Sequence, residues 1–265
     1  MHSKNTILGR FAPKNAKGLT IAEPALDALA IDPARRLREA RNMEPFIYTP
    51  PAPGPLPVLF EDAALIALNK PEGLLSVPGR RVEHQDSLYT RIRALHPEAM
   101  VVHRLDLATS GVIVMAKTRE ANRALSWQFQ RRTVEKTYEA VVEGVPAEAS
   151  GCVDLPLICD WPDRPRQIVD PVQGKPSQTE WVALGAQDVS GRAGTRVRLR
   201  PLTGRSHQLR VHMAEMGHAI FGDRFYASED GAAASKRLLL HAHVLTLTHP
   251  DDSARTLRFE APCPF

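Results

Sequence analysis

The sequence predicts an α+β protein built on a mixed, mainly antiparallel sheet, and three observations carry that expectation. From Val58 onward the apolar residues switch repeatedly between a period of two and a period of 3.6. The switching lacks the regular strand–helix alternation that builds a doubly wound parallel sheet. A chain of 265 residues with 43% hydrophobic content can also bury a full core unaided. Its three cysteines, Cys152, Cys159 and Cys263, contain no C-x-x-C pair and need form neither a disulfide framework nor a zinc site.

Taken in order, residues 1–44 form a basic extension. Within it Asp32 to Arg41 reads as a short helix, with Asp32 as N-cap and Pro33 at the first helical position. Residues 45–57 hold six prolines, which block helix and central strand alike and predict an extended linker. Residues 58–265 form the main domain. Residues 58–71 predict a hairpin closed around Glu61 to Ala63, and 112–117 a buried strand. Arg119 to Arg132 predicts a helix burying Ala121, Leu125 and Phe129. Strands are expected at 133–145, 153–157, 179–184, 195–201 and 239–248, and a helix at 206–216 ended by Gly217.

Charge is uneven along the chain. The net value is +4, yet residues 1–57 carry eight basic against five acidic groups and the other 208 residues carry 26 against 25. A nearly neutral body still binds a polyanion if its cations share one face, because local charge releases counterions. The longest apolar runs fall far short of the ~20 residues of a membrane span. No G-x-G-x-x-G, G-x-x-x-x-G-K-[ST], G-x-S-x-G or H-E-x-x-H occurs, so dinucleotide, triphosphate, hydrolase-elbow and zincin chemistry lack their usual marks. His241 and His243 share one strand face, but no cysteine or carboxylate spacing completes a metal site.

Three segments place ionisable groups beside apolar or glycine-bearing structure. In VVHRLDLATSGVIVMAKT (101–118), Asp106 precedes a strand apolar enough to be buried, where a carboxylate needs a cationic partner. Alone, such an aspartate is more often a turn or cap residue. In LTGRSHQLRVHMAEMG (202–217), His207 and Arg210 are spaced to share a helical face, and a guanidinium there could pair with a carboxylate from elsewhere or lie on the surface. In EKTYEAVVEG (135–144), the parity of Val134, Tyr138, Ala140 and Val142 turns the Tyr138 ring inward, as in many cores.

HRLD followed by TSG, then KTY, GRSHQLR and RLLLHA (237–242), in this order and spacing, resembles the RluA family of RNA pseudouridine synthases over about Pro45 to Phe265. NKPEGLLSVPGR (69–80) and DLPLICDWPDRP (154–165) resemble the branch with dual specificity for large-subunit ribosomal RNA and a tRNA anticodon stem-loop. The resemblance implies a bent mixed sheet with flanking helices and a central basic cleft. It implies that Asp106 is the catalytic aspartate, Tyr138 the base-stacking tyrosine and Arg210 the arginine paired to Asp106. Arg104 matches the residue that enters the RNA, His103 shares its motif as a substrate contact, and Leu240 matches an apolar wall of the pocket. Arg205 and His207 are expected to meet phosphates. Ala219 and Phe221 depart from the family pattern and are expected to alter a cleft-edge loop. No cofactor is implied. The expected protein works as a monomer on RNA in the cytoplasm, with neither membrane nor metal as partner. A non-catalytic RNA-binding module and a base-excising glycosidase remain the alternatives.

Overall fold

The computed structural model describes residues 47–265, so the expected helix at 32–41 lies outside the described residues. From residue 47 to Pro57 the chain has neither helix nor strand, as the fixed φ and missing N–H of proline dictate. This part of the expected linker is docked on the body. The Tyr48 hydroxyl donates to the Asp86 carbonyl and accepts from the Leu75 N–H, and the Pro51 carbonyl accepts from Arg91 Nη2.

Strands β1 (Val58–Glu61) and β2 (Leu65–Lys70) form the expected hairpin. Asp62 Oδ1 stabilises the turn by accepting the N–H groups of Ala64 and Leu65. Helix α1 (Leu88–Leu95) starts with a reciprocal cap between Ser87 and Thr90. Strands β3 (Met100–Val101) and β4 (Ser110–Ala116) follow, then α2 (Arg119–Arg131), capped by Thr118 and ended by Arg132 in the left-handed conformation. Next come β5 (Glu135–Glu143), β6 (Ser150–Asp154), β7 (Leu157–Cys159), β8 (Gln167–Val169), β9 (Gln178–Val189) and β10 (Arg192–Pro201). The chain closes with α3 (Gln208–Glu215), α4 (Glu229–Ala233), β11 (Leu240–His249) and β12 (Asp252–Glu260).

The strand expected at 153–157 is two strands. Pro156 lacks the N–H a continuous ladder needs, and the chain leaves the main sheet there to pair β7 with β8 as a separate hairpin. The main sheet runs β1-β2-β4-β11-β5-β10-β9-β6. Its ladders are antiparallel except β11 with β4, which run parallel through His241↔Ser110 and Ala242↔Gly111. Beyond Ala242 the register against β5 shifts, and from Val244 the same strand pairs with β12 instead of β4. β11 thus forks the sheet at its centre, with β4 beside its first half and β12 beside its second.

β4 is buried at every residue, which is why its sequence is an unbroken apolar run. Alternation sends Val112 and Val114 into a cluster with Leu65, Leu125, Leu257 and Phe259 under α2. Ile113 and Met115 go to the opposite face, with Ile66, Leu68, Leu88 and Ile92 under α1. A third cluster joins Ala140, Val142, Trp181 and Leu199 of β5, β9 and β10 to Leu209 and Met213 of α3. Tyr138 packs against this cluster and the one under α1, so it marks the seam between the two halves.

Candidate active site

Asp106 sits at that seam, on the loop between β3 and β4. The loop is clamped on both sides of it. Ser76 Oγ donates to the Leu105 carbonyl at 2.7 Å and accepts the Leu105 N–H at 3.1 Å. The Leu107 carbonyl accepts from Lys70 Nζ at 3.2 Å and from the Gly73 N–H at 3.0 Å. Asp106 itself closes a turn by accepting the Thr109 N–H. Lys70 is fully buried and also donates to the carbonyls of Pro71 and Leu74. Burial pushes its ammonium down to about 7, against the attraction of Asp106 and Glu72. Nothing in sequence periodicity marked Lys70 or Ser76. The available signal was a lysine closing the apolar run LIALNK, in a segment that already resembled the RluA type.

Asp106 Oδ2 faces two groups from the start of α3: Arg210 Nη1 at 3.8 Å and His207 Nε2 at 3.9 Å. The side chain of Asp106 remains 29% exposed, so in the free protein the carboxylate is wetted on one side and a bound substrate must complete the seal. Burial, reinforced by the Asp106 charge, raises the Tyr138 phenol above its usual range and keeps it protonated. Tyr138, Arg210, His207 and Asp106, drawn from three distant segments, therefore meet.

The expected pairing of Arg210 with Asp106 is present at 3.8 Å but is not its tightest. Its Nε and Nη2 form a bidentate bridge to Asp223, at 2.7 and 2.6 Å, and both residues are buried. Asp106 receives only the remaining Nη1. Phe225 and Tyr226 add ring faces to the guanidinium at 5.3 and 5.1 Å from their centroids. Asp223, Phe225 and Tyr226 were missed because they lie on a loop without periodicity, and only the fold brings them under α3. His207 does not share a helical face with Arg210 as expected. It is the N-cap of α3, in the left-handed conformation with φ 53°.

His103 is likewise reassigned. Its Nε2 accepts the Val114 N–H at 3.0 Å, and its ring stacks on Phe129 with centroids 4.4 Å apart, so it holds β4 to α2 and leaves only Nδ1 for a substrate. Phe221 is a buried core residue within the turn that leads to Asp223, its ring filling the space beside Gly194; Ala219, two residues before it, is also buried. Arg104 is exposed. Leu240 is buried in the cluster that Tyr138 borders, and Arg205 Nε donates to the Pro176 carbonyl. His241 and His243 both engage the Ala261 carbonyl, and His241 also bonds Ser110 Oγ.

Burial depresses the imidazoles of His103 to about 3, and of His212 and His241 to about 4. In the unfolded chain these groups titrate near ~6.5. The unfolded state binds more protons between those values, so the stability from these groups is complete above about pH 6.5 and is lost as pH falls toward 3–4. Each costs ~1.4 kcal/mol per pH unit within that window. Urea midpoints measured between pH 7 and 5 should fall steadily; a flat profile would contradict neutral burial.

Residues 64–215 match the family described as RNA pseudouridylate synthase. The chain is 53% identical over 218 residues to the dual-specificity RNA pseudouridine synthase RluA of Escherichia coli (strain K12), covering 82% of this chain and 98% of that protein. It is 50% identical over 219 residues to the protein of the same name from Vibrio vulnificus (strain CMCP6), covering 82% and 87%. Among solved structures, human RNA pseudouridylate synthase domain containing 1 aligns with a TM-score of 0.68 at 28% identity, over 84% of this chain and 87% of that one. The chain belongs to the RNA pseudouridylate synthase family, and its mixed, mostly antiparallel α+β sheet is the fold of that family. Within it the chain is of the RluA type, an isomerase acting on RNA. No helix among the described residues is long and apolar enough to cross a membrane.

Proposed function

We propose that the protein converts loop uridines of large-subunit ribosomal RNA and of a tRNA anticodon stem-loop to pseudouridine, with Asp106 as the catalytic carboxylate. The observation that carries this reading is the convergence on one rigid loop: Asp106 Oδ2 faces Arg210 Nη1 and His207 Nε2, with Tyr138 beside it. The names of the RluA relatives support dual specificity. The protein is read as acting as a monomer, and substrates of this kind fit the cytoplasm.

The reaction breaks the bond between uracil N1 and ribose C1′, turns the base and rejoins it through C5, with no redox change. On one route Asp106 attacks C1′ as N1 leaves with the bonding pair; C5 later displaces the carboxylate and its proton is passed on. On the other, the carboxylate removes the C2′ proton as N1 leaves with the bonding pair, giving a glycal; C5 then bonds to C1′ as the proton returns to C2′, and the C5 proton is passed on. Both routes need it ionised, and the Arg210 guanidinium lies 3.8 Å from it. Extruding the uridine costs a few kcal/mol, least in loops. Stacking on Tyr138, worth ~1–3 kcal/mol, offsets that cost, as does Arg104 filling the vacated space.

The test is to incubate unmodified tRNA and ribosomal-hairpin transcripts with the protein and with Asp106→Asn. Wild type should form pseudouridine in both RNAs without releasing uracil. The variant should lose about 10⁴-fold or more in rate while keeping its RNA affinity. Released uracil would make the protein a glycosidase, modification of neither transcript would refute the targets, and loss of rate and affinity together would make Asp106 structural.

A further inference from the structure

We propose that His207 is a positioning residue for Asp106: its Nε2–H and Arg210 Nη1 hold the Oδ2 atom together, so that Oδ1 is the oxygen presented to the ribose. The proposal rests on the reading of Asp106 as the catalytic carboxylate.

The proton on His207 follows from its neighbours. Tyr226 Oη accepts the Gln167 N–H at 2.8 Å and lies 2.7 Å from His207 Nδ1. Among the described residues no other acceptor is available to the Tyr226 hydroxyl hydrogen, so it goes to Nδ1. A neutral imidazole that accepts at Nδ1 carries its hydrogen on Nε2. Nε2 is the atom 3.9 Å from Asp106 Oδ2, a gap that closes to a hydrogen bond when bound RNA displaces water.

The backbone supports a dedicated role. His207 holds φ 53° and ψ 14° at the head of α3, yet its side chain makes no capping bond. A left-handed non-glycine residue carries strain that the surroundings must maintain, and here the product of that strain is the ring's placement. The ring is buried, with Phe225 and Tyr226 centroids 5.7 and 5.6 Å away. With Nδ1 taken by Tyr226 and Nε2 turned to Asp106, neither nitrogen is free for an RNA phosphate, which replaces the phosphate contact expected for His207. Among the described residues Asp106 Oδ1 has no partner. The β7–β8 hairpin, through Gln167, is thereby connected to the orientation of the carboxylate.

The test compares His207→Leu, His207→Gln and Tyr226→Phe with wild type and with Asp106→Asn, reading single-turnover pseudouridine formation, RNA affinity and melting temperature. A misplaced reacting group costs on the order of 100-fold, so His207→Leu should lose about that factor in single-turnover rate with RNA affinity unchanged. The amide of His207→Gln can donate from the Nε2 position and should recover the rate to within about tenfold of wild type. Tyr226→Phe frees the tautomer and should fall between the two. A wild-type rate for His207→Leu, a loss of affinity matching its loss of rate, or a His207→Gln variant no better than His207→Leu would each overturn the proposal. If His207→Leu melts early, the ordering of the other two variants decides. An active Asp106→Asn would instead sink the underlying reading of the site, whatever the His207 variants do.

Discussion

An Asp223→Ala variant is expected to lose about 3–5 kcal/mol of stability, because a buried arginine is left without its counter-charge. Asp223 accepts Nε and Nη2 of Arg210 and also the Phe225 N–H. Removing it therefore strands three donors in the interior. Isomerase activity should fall with stability, since Arg210 loses the fork that aims Nη1 at Asp106. A second variant separates the two effects. Arg210→Met combined with Asp223→Leu replaces the pair by apolar side chains, a change that is often neutral for buried pairs. The double variant should recover most of the stability and none of the activity. Chemical denaturation with a single-turnover assay on the same preparations checks both. Recovery of activity in the double variant would show that Arg210 serves the fold alone.

Gly111→Ala is expected to be as damaging, through the backbone instead of charge. Gly111 holds φ +113° where β4 meets β11, and a Cβ there would lie 2.2 Å from the Ala242 carbonyl oxygen and 2.6 Å from the Ala242 nitrogen. No rotamer relieves a clash with backbone, so the two central strands must separate. Overpacking of this kind costs about 1–3 kcal/mol, and the disfavoured φ adds about 1–3 more. Ala242 pairs on its other side with Tyr138, so any separation also displaces the tyrosine from Asp106. Both the melting temperature and the turnover of Gly111→Ala should drop. A variant that melts like wild type would show that the strands can part without loss.

The elements that were legible in advance share a property: each advertises its burial locally. The run at 112–116 is apolar at every position because β4 is covered on both faces. Residues 119–131 repeat with a helical period because α2 buries only Ala121 and Leu125 fully. β12 escaped notice because seven of its nine residues are exposed, and its place depends on the partner exchange along β11. The split at Pro156 was written in the chain but needed the neighbouring hairpin to give it meaning.

The site divides in the same way. Ordered motifs identified Asp106, Tyr138 and Arg210, because their neighbours along the chain carry a recognisable pattern. The tighter partner of Arg210, Asp223, could not be named from that pattern. Choosing between Asp106 and Asp223 is a matter of ångströms, and those distances are set by how α3 packs on the following loop, not by any spacing in the chain. His103 and His207 make the same point, since a histidine in a motif becomes a packing ring or a neighbour of the carboxylate according to which backbone N–H, hydroxyl or aromatic face lies opposite it. Local composition decides which segments are buried and which side chains are available for chemistry; the direction of each hydrogen bond and the assignment of each charge to a partner arise only when segments a hundred residues apart are brought into contact.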